Sequence, residues 1–307
     1  YNWYDPWNHS RDPQDPGGHG THTLGSIVGE SVGVAPGASW YACANLPRNL
    51  GSPARYLDCL QFMLAPFPLD GNPLQDGDPL RSAHVLNNSW GCPQTYEGCD
   101  AESLRPAVAA LRAAGIFVVA SAGNEGPACS TVADPPALYD EAFSVGAVNE
   151  AGDLAAFSSR GPVTADGSGR TKPDILAPGV QVLSSLPGNT YGFSDGTSMA
   201  GPHVVGVVAL MWSANPALIG DIERTEEILR QTATPFTGQI GTSLLAEMMG
   251  ELGDAGMALP LETPAADVAS LGACFLGKDT TPNNLTGYGI VNAYRAVEMV
   301  LDGRSTP

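Results

Sequence analysis

The stretch Ile116–Gly126, IFVVASAGNEG, joins a short apolar run to a polar turn. Ile116–Ala120 is predicted to be a strand, because the run is apolar, short and bounded by glycines. An Ala- and Leu-rich segment, Ala101–Ala114, precedes it and is predicted to be a helix that Gly115 ends. A helix that leads directly into such a strand is typical of α/β proteins with a parallel sheet.

The same alternation of apolar runs and helical segments continues on both sides of this stretch. The other predicted strands are Trp40–Ala44, Ala83–Leu86, Phe143–Val148 and a weaker one at Val180–Leu183. The other predicted helices are Thr21–Val28, Arg55–Leu64, Ser198–Ser213, Asp221–Thr232 and Ile290–Leu301. The fold class is therefore α/β, a parallel sheet with helices on both faces, and a single domain covers residues 1–307.

The composition argues against several classes of function. Hydrophobic residues make up 43% of the 307 residues and charged residues 15%, as in a globular domain. The net charge is −18 and there are only 14 Lys and Arg residues, so nucleic acid is not an expected partner, and the acidity is interpreted as a source of solubility. No apolar run approaches the ~20 residues that span a bilayer, so no membrane association is expected.

Two stretches are not assigned to helices or strands. Pro66–Pro79 is a loop by composition, and its acidic residues suggest calcium, but Leu74 occupies a position where an EF-hand loop needs a ligand. A structural calcium ion therefore stays an open alternative, and we predict no catalytic metal. The stretch 237–284 has weak periodicity and is interpreted as an insertion before the last helix.

The six cysteines form no CxxC pair and no metal-ligand pattern, so an even set of disulfides and an extracellular location are expected. Buried free thiols are the alternative. The predicted pairs are Cys92–Cys99, across a turn-rich span, Cys43–Cys59, between a strand end and the next helix, and Cys129–Cys274, by elimination.

Two motifs place reactive side chains at the beginnings of helices. In GHGTH, His19 lies on a tight turn where it can face a cleft, although two histidines without a role would give the same pattern. In GTSMAGPH, Ser198 precedes the apolar run Val204–Trp212, where its free backbone N–H and the positive helix end face whatever its hydroxyl attacks. A plain N-cap is the alternative for this serine.

A third motif, GNEG, follows the strand at Ile116–Ala120. Asn124 would lie at the carboxyl edge of the parallel sheet, where α/β proteins form their sites. A neutral amide can donate a hydrogen bond to a developing oxyanion without titrating. An asparagine that only forms the turn is the competing interpretation.

Taken in order, GHGTH, GNEG and GTSMAGPH resemble the subtilisin-like serine peptidases. Among these, the chain is most similar to the bacillopeptidase F type, through the runs NWYDP, GHGTHTLGSIVG, GVAPGA, NNSWG, FSSRGP, KPDILAPGV and GTSMAGPHV. The resemblance runs from about His19 to Met211 and resumes weakly over Tyr288–Val300.

The resemblance implies a role for each of these motifs. Ser198 would be the nucleophile, His19 the general base, and Asn124 with the Ser198 N–H the oxyanion hole. The implied substrate-binding residues are Ser89, Trp90, Gly91, Ala122, Gly123, Glu125 and Asp134. Ser89–Gly91 would pair with the backbone of a polypeptide substrate as an added β-strand. No cofactor is needed for this chemistry, and a monomer is expected.

The resemblance also bears on specificity. Glu125 would lie at the mouth of the pocket for P1, the residue before the scissile bond, and Asp134 near its floor, next to a cis Pro135–Pro136 bond. Two carboxylates in one pocket would favour Lys or Arg at P1. Alternatively, Asp134 caps a turn before Pro135 or binds a cation.

The chain departs from the family pattern in one respect. The catalytic Asp of the family lies on a strand well before the His, but Asp5, Asp12 and Asp15 each precede a proline and are typical of turns. We therefore expect that the chain begins after this strand and that a slot separates the strands near 40–44 and 83–86. A catalytically impaired fragment or pseudo-protease that only binds peptides is the alternative function. An esterase of the α/β-hydrolase type is disfavoured because it needs GxSxG and the order Ser, acid, His.

Overall fold

The computed structural model describes residues 1–240, Cys274 and residues 280–303. Its centre is a four-stranded parallel sheet in the order β3–β4–β5–β6. These strands are Val85–Asn88, Phe117–Ser121, Phe143–Val148 and Ile175–Pro178. The helices are α1 His19–Val28, α2 Pro53–Leu64, α3 Arg105–Ala113, α4 Thr197–Ala214, α5 Ile222–Thr232 and α6 Ala293–Leu301. The predicted α/β class is confirmed.

Helices cover both faces of the sheet, as the side chains of β4 show. Val118 and Ala120 belong to the core shared with α2 and α3, whereas Phe117 and Val119 belong to the core shared with α4, α5 and α6. Successive side chains of a strand point to opposite faces, so one apolar run supplies both cores. Helix α4 is buried along most of its length, as expected of a helix that is apolar all round.

The starts of two predicted helices shift for identifiable reasons. Helix α3 begins at Arg105 rather than at residue 101, because Pro106 suits the first helical turn. Helix α6 begins at Ala293 rather than at residue 290, because the Asn292 side chain accepts the N–H of Arg295 and caps it. The weak strand predicted at Val180–Leu183 is β7, Val182–Leu186, which forms a hairpin with β8, Thr190–Ser194.

The sheet is interrupted on one side of β3. Strand β2, Ala42–Cys43, pairs in parallel with a short β1, Trp3–Tyr4, that the sequence did not predict. Among the described residues no ladder joins β2 to β3. The direct pairing that would contradict the expected slot is thus not found, and the strand expected to fill it stays a prediction.

All three predicted disulfides are present: Cys43–Cys59, Cys92–Cys99 and Cys129–Cys274. In the loop 66–79, Asp70 forms an ion pair with Arg11 and Leu74 is exposed. No group of three or more His, Cys, Asp or Glu side chains among the described residues could hold a metal ion. Most of the insertion predicted at 237–284, namely 241–273 and 275–279, lies outside the described residues. None of the described helices is both long and apolar enough to cross a membrane.

The three disulfides close loops of very different length, with sequence separations of 145, 16 and 7 residues. Loop-closure entropy predicts that removing them as Cys→Ala pairs lowers the free energy of unfolding by about 5, 3 and 2 kcal/mol, in that order. Urea unfolding of the Cys129/Cys274, Cys43/Cys59 and Cys92/Cys99 double variants measures this. An inverted order would show that native-state contacts, not chain entropy, determine the contributions.

Candidate active site

The first turn of α4 presents Ser198. Gly196 precedes it with φ of 145°, a conformation that side chains rarely adopt, and its position carries no Cβ. A Cβ placed there would lie 3.6 Å from the backbone N of Ser198 and 3.7 Å from both Nδ2 and Oδ1 of Asn124. Two hydrogen-bond donors therefore border one space that the glycine keeps open.

Asn124 is held by its oxygen, which leaves its nitrogen available. Oδ1 accepts the Thr197 N–H at 2.9 Å and lies 3.0 Å from the Thr197 hydroxyl. The same hydroxyl lies 3.1 Å from the carbonyl oxygen of Gly123 and 3.2 Å from its nitrogen. Because the N–H and the hydroxyl of Thr197 both face Oδ1, the Asn124 amide nitrogen, Nδ2, must point the other way. Neither Nδ2 nor the Ser198 N–H has a hydrogen-bond partner among the described residues. This is the geometry that stabilises an oxyanion.

The Ser198 hydroxyl contacts the segment that follows β3. It donates to the Ser89 carbonyl at 3.3 Å, and the Ser89 hydroxyl donates to the Ser198 carbonyl at 2.7 Å. Asn87 Nδ2 donates in turn to the Ser89 hydroxyl at 2.9 Å. This reciprocal pair fixes the segment Ser89–Gly91 beside the serine, although the serine must turn away from Ser89 to meet a base.

His19 is the first residue of α1, which packs against α4. Asp15 holds this helix start by accepting the N–H groups of Gly18 at 3.0 Å and Thr21 at 2.6 Å. The surrounding protein desolvates the His19 ring and lowers its pKa below the ordinary value, while the Asp15 carboxylate partly raises it again. The residue as a whole is exposed to solvent, so its ring is accessible.

No carboxylate among the described residues forms a hydrogen bond with the His19 ring. Asp5 directly follows β1, but its carboxylate is buried and accepts from Trp7, Asn8 and Ser10 in a turn. Asp15 caps α1 as described, and Asp12 is exposed. Both Asp5 and Asp15 therefore have the turn-forming role that their following prolines indicate.

The remaining sequence-predicted residues line one region next to Ser89–Gly91. Ala122 is buried, and its backbone N–H donates to the carbonyl oxygen of Val145 in β5. The next residue, Gly123, has φ of 108°. The Glu125 carboxylate accepts the Ser159 hydroxyl at 2.8 Å. Trp90 stacks on the Tyr56 ring with centroids 3.9 Å apart. The structure thus gathers these residues around the end of β4.

Asp134 faces this region, and no cationic side chain among the described residues pairs with it. A Cβ on Gly91 would lie 3.2 Å from Cβ of Asp134, and the Pro135–Pro136 bond is cis. The half-buried carboxylate accepts no hydrogen bond from a described residue, so the turn-cap alternative is not found. Burial, then Glu125 and Glu97, raise the pKa of Asp134 above its ordinary value.

Sequence reasoning missed the residues that hold this site together. Ser159, Glu97, Tyr56 and Asp15 act through contacts to residues distant in the sequence or to backbone N–H groups. Only Asp15 carried a local signal, since an Asp shortly before a helix start is a frequent cap.

Comparisons with known proteins show which family the chain belongs to. The model of the subtilase family, a peptidase family, matches residues 1–289. The chain belongs to the subtilase family. It is 38% identical to Bacillopeptidase F of Bacillus subtilis over 98% of the chain, but that alignment covers only 18% of the relative. It is 34% identical to Subtilisin E of Bacillus subtilis over 72% of the chain and 52% of the relative. It is 36% identical to M-protease of Shouchella clausii over 66% of the chain and 47% of the relative. This subtilase chain therefore spans about half or less of the length of these relatives.

The anchoring of Asn124 by Thr197 predicts the effect of a conservative change. Thr197→Val removes the hydroxyl but keeps the shape, so Asn124 loses one of its two contacts, and its amide, the predicted oxyanion donor, is less well fixed. We expect kcat to fall about tenfold with KM nearly unchanged, the cost of about one hydrogen bond realised in the transition state. Steady-state kinetics against Thr197→Ser, which keeps the hydroxyl, measures this. A rise in KM with constant kcat would contradict the role.

The lowered pKa of His19 predicts the pH dependence of this subtilase. A base acts in its neutral form, so for residues 1–307, in which no described carboxylate bonds to His19, the acid limb of kcat/KM should lie below pH ~6.5, the ordinary His value. Asp15→Asn removes a charge that raises the His19 pKa, so the acid limb should move to still lower pH. Asp12→Asn, which removes an equal charge nearby, is the matched control and should leave the limb in place. A shift to higher pH in Asp15→Asn would contradict the assignment of the limb to His19.

Proposed function

We propose that this subtilase is the catalytic part of a serine endopeptidase that cleaves polypeptides through an acyl-enzyme on Ser198. The observation that supports this most directly is the open space beside Gly196, bordered by the Ser198 N–H and the Asn124 amide nitrogen. A hydroxyl next to two unused donors is the arrangement that acyl transfer requires.

The reaction would proceed in two balanced steps. Ser198 Oγ forms a bond to the scissile carbonyl carbon while His19 takes its proton, and the negative oxygen moves into the space beside Gly196. When the C–N bond breaks, His19 returns the proton to the leaving amine. Water then attacks the acyl-enzyme by the same route and regenerates the Ser198 hydroxyl. This chemistry needs no cofactor.

The substrate backbone would pair with Ser89–Gly91. Since Gly91 borders Asp134 and the proposed P1 pocket, this segment would hold the residues that precede the scissile bond. An added strand fixes the peptide through backbone hydrogen bonds and leaves side-chain pockets to determine specificity.

A peptide-binding pseudo-protease is the second candidate, and the lack of a described carboxylate on His19 favours it. We propose instead that the site is completed by a strand that bears an Asp and lies outside the described residues. The interruption between β2 and β3 supports this, because each strand there has an edge without a ladder partner among the described residues.

Labelling by a fluorophosphonate separates the two candidates, since it needs an activated serine. We expect Ser198 to be labelled, and Ser198→Ala to abolish labelling. Residues 1–307 alone should hydrolyse peptides weakly, because removal of the Asp from subtilisin, a relative, costs about 3 × 10⁴ in kcat. A longer protein that carries the Asp strand should regain this factor. Peptide binding with no labelling in either protein would establish the pseudo-protease.

We propose that the P1 pocket favours Lys or Arg. A half-buried carboxylate without a partner among the described residues, with Glu125 beside it, gains most from a substrate cation. The raised pKa of Asp134 means that the carboxylate is ionised only above that pKa. The preference should therefore weaken as the pH falls through it.

Cleavage of a peptide library measures the preference. Asp134→Asn should lower kcat/KM for P1 Lys relative to P1 Leu by about tenfold or more, the scale of one charged hydrogen bond. Asp140→Asn, an exposed carboxylate six residues away, should leave the ratio unchanged. If large apolar residues dominate at P1 in both the unsubstituted protein and Asp134→Asn, Asp134 has a structural role.

We also propose an extracellular site of action and a monomer. The three disulfides support the first, because such cross-links persist in oxidising compartments. Polypeptides are the proposed partners.

A further inference from the structure

The loop 92–99 begins directly after Ser89–Gly91 and is closed by the Cys92–Cys99 disulfide. It carries Glu97, which is only 9% exposed. One carboxylate oxygen of Glu97 accepts the Gly51 N–H at 2.7 Å, and the other accepts the Tyr56 hydroxyl at 2.7 Å. A buried carboxylate with two such bonds is strongly fixed, because hydrogen bonds to a charged acceptor are stronger than those to a neutral one.

Tyr56 transmits this restraint to the proposed substrate-binding segment. Its side chain is fully buried on α2, and its ring lies nearly parallel to that of Trp90, at 9° and 3.9 Å. A Cβ on Gly51 would lie 2.1 Å from the Tyr56 hydroxyl oxygen, so only glycine fits beside the bond. Burial and Glu97 raise the pKa of Tyr56, which keeps the hydroxyl protonated as a donor.

We propose that Glu97 is a positioning residue for the substrate-binding segment Ser89–Gly91, acting through Tyr56 and Trp90. The inference rests on the proposed function, because it assumes that this segment pairs with the peptide. Without the carboxylate, the Tyr56 hydroxyl and the Gly51 N–H lose their partner in a buried place. The Tyr56 ring then loses the bond that fixes its hydroxyl end, and the surface on which Trp90 stacks is less well positioned.

A merely structural role for Glu97 predicts a different outcome. Loss of stability would weaken all peptide binding in proportion to the unfolded fraction, whatever the length of the peptide. A positioning role weakens only those peptides that reach Ser89–Gly91. Peptide length is therefore the variable that separates the two.

The experiment measures Kd by fluorescence anisotropy in the Ser198→Ala protein, which binds without cleaving. The probes are a labelled octapeptide with Lys at P1 that spans P4 to P4′ and its truncated form that begins at P1′, which lacks every residue that would pair with Ser89–Gly91. Glu97→Ala should raise the Kd of the octapeptide about tenfold and leave that of the truncated peptide unchanged. Glu97→Gln, which can still accept from Gly51 and contact Tyr56, should restore the octapeptide Kd.

Three results would overturn the inference: an equal loss for both peptides, no change for the octapeptide, or failure of Glu97→Gln to rescue. If Glu97→Ala does not fold, Tyr56→Phe removes only the hydroxyl bond and should give a smaller loss that is again confined to the octapeptide. If neither peptide binds the Ser198→Ala protein, the proposed function itself fails, and the role of Glu97 fails with it.

Discussion

The contact between Thr197 and Asn124 is the constraint on which the rest of the site depends. It joins the first turn of α4 to the end of β4, because the Asn124 amide oxygen accepts the Thr197 N–H and lies 3.0 Å from the Thr197 hydroxyl. Because the oxygen is used in this way, the amide nitrogen has one direction left. The proposed nucleophile, Ser198, and the proposed oxyanion donor, Asn124, are therefore positioned together, and the absent side chain of Gly196 leaves the space between them open.

The core fixes both ends of this contact. Strand β4 is buried along its whole length, and its side chains alternate between the two cores of the domain. Helix α4 lies against all four central strands and against α1, which carries His19. A shift of α4 would disturb densely packed surfaces on several sides, and such surfaces resist gradual deformation. The packing around β4 and α4 therefore fixes the positions of the site residues that these two elements carry.

Much of this arrangement could be predicted because its signals are local. The six helices and three of the four central strands, β3, β4 and β5, follow from apolar runs that glycine or proline bounds, as in Ile116–Ala120 before Gly123. The fourth central strand, β6 at Ile175–Pro178, was not predicted from the sequence. Strand β1 has only two residues, and β8 exposes Tyr191 and Phe193, so neither shows the burial pattern of a core strand. The contacts of Glu97 join residues 41 and 46 positions apart, and no periodicity reveals such pairs.

The crystal structure of a phosphonate adduct on Ser198 tests the central claim most directly. The phosphoryl oxygen occupies the place of the oxyanion in such an adduct. The account predicts that this oxygen lies about 2.7–3.1 Å from both Asn124 Nδ2 and the Ser198 nitrogen, in the space beside Gly196. A phosphoryl oxygen that points to solvent, or an Asn124 amide whose nitrogen faces Thr197, would contradict it.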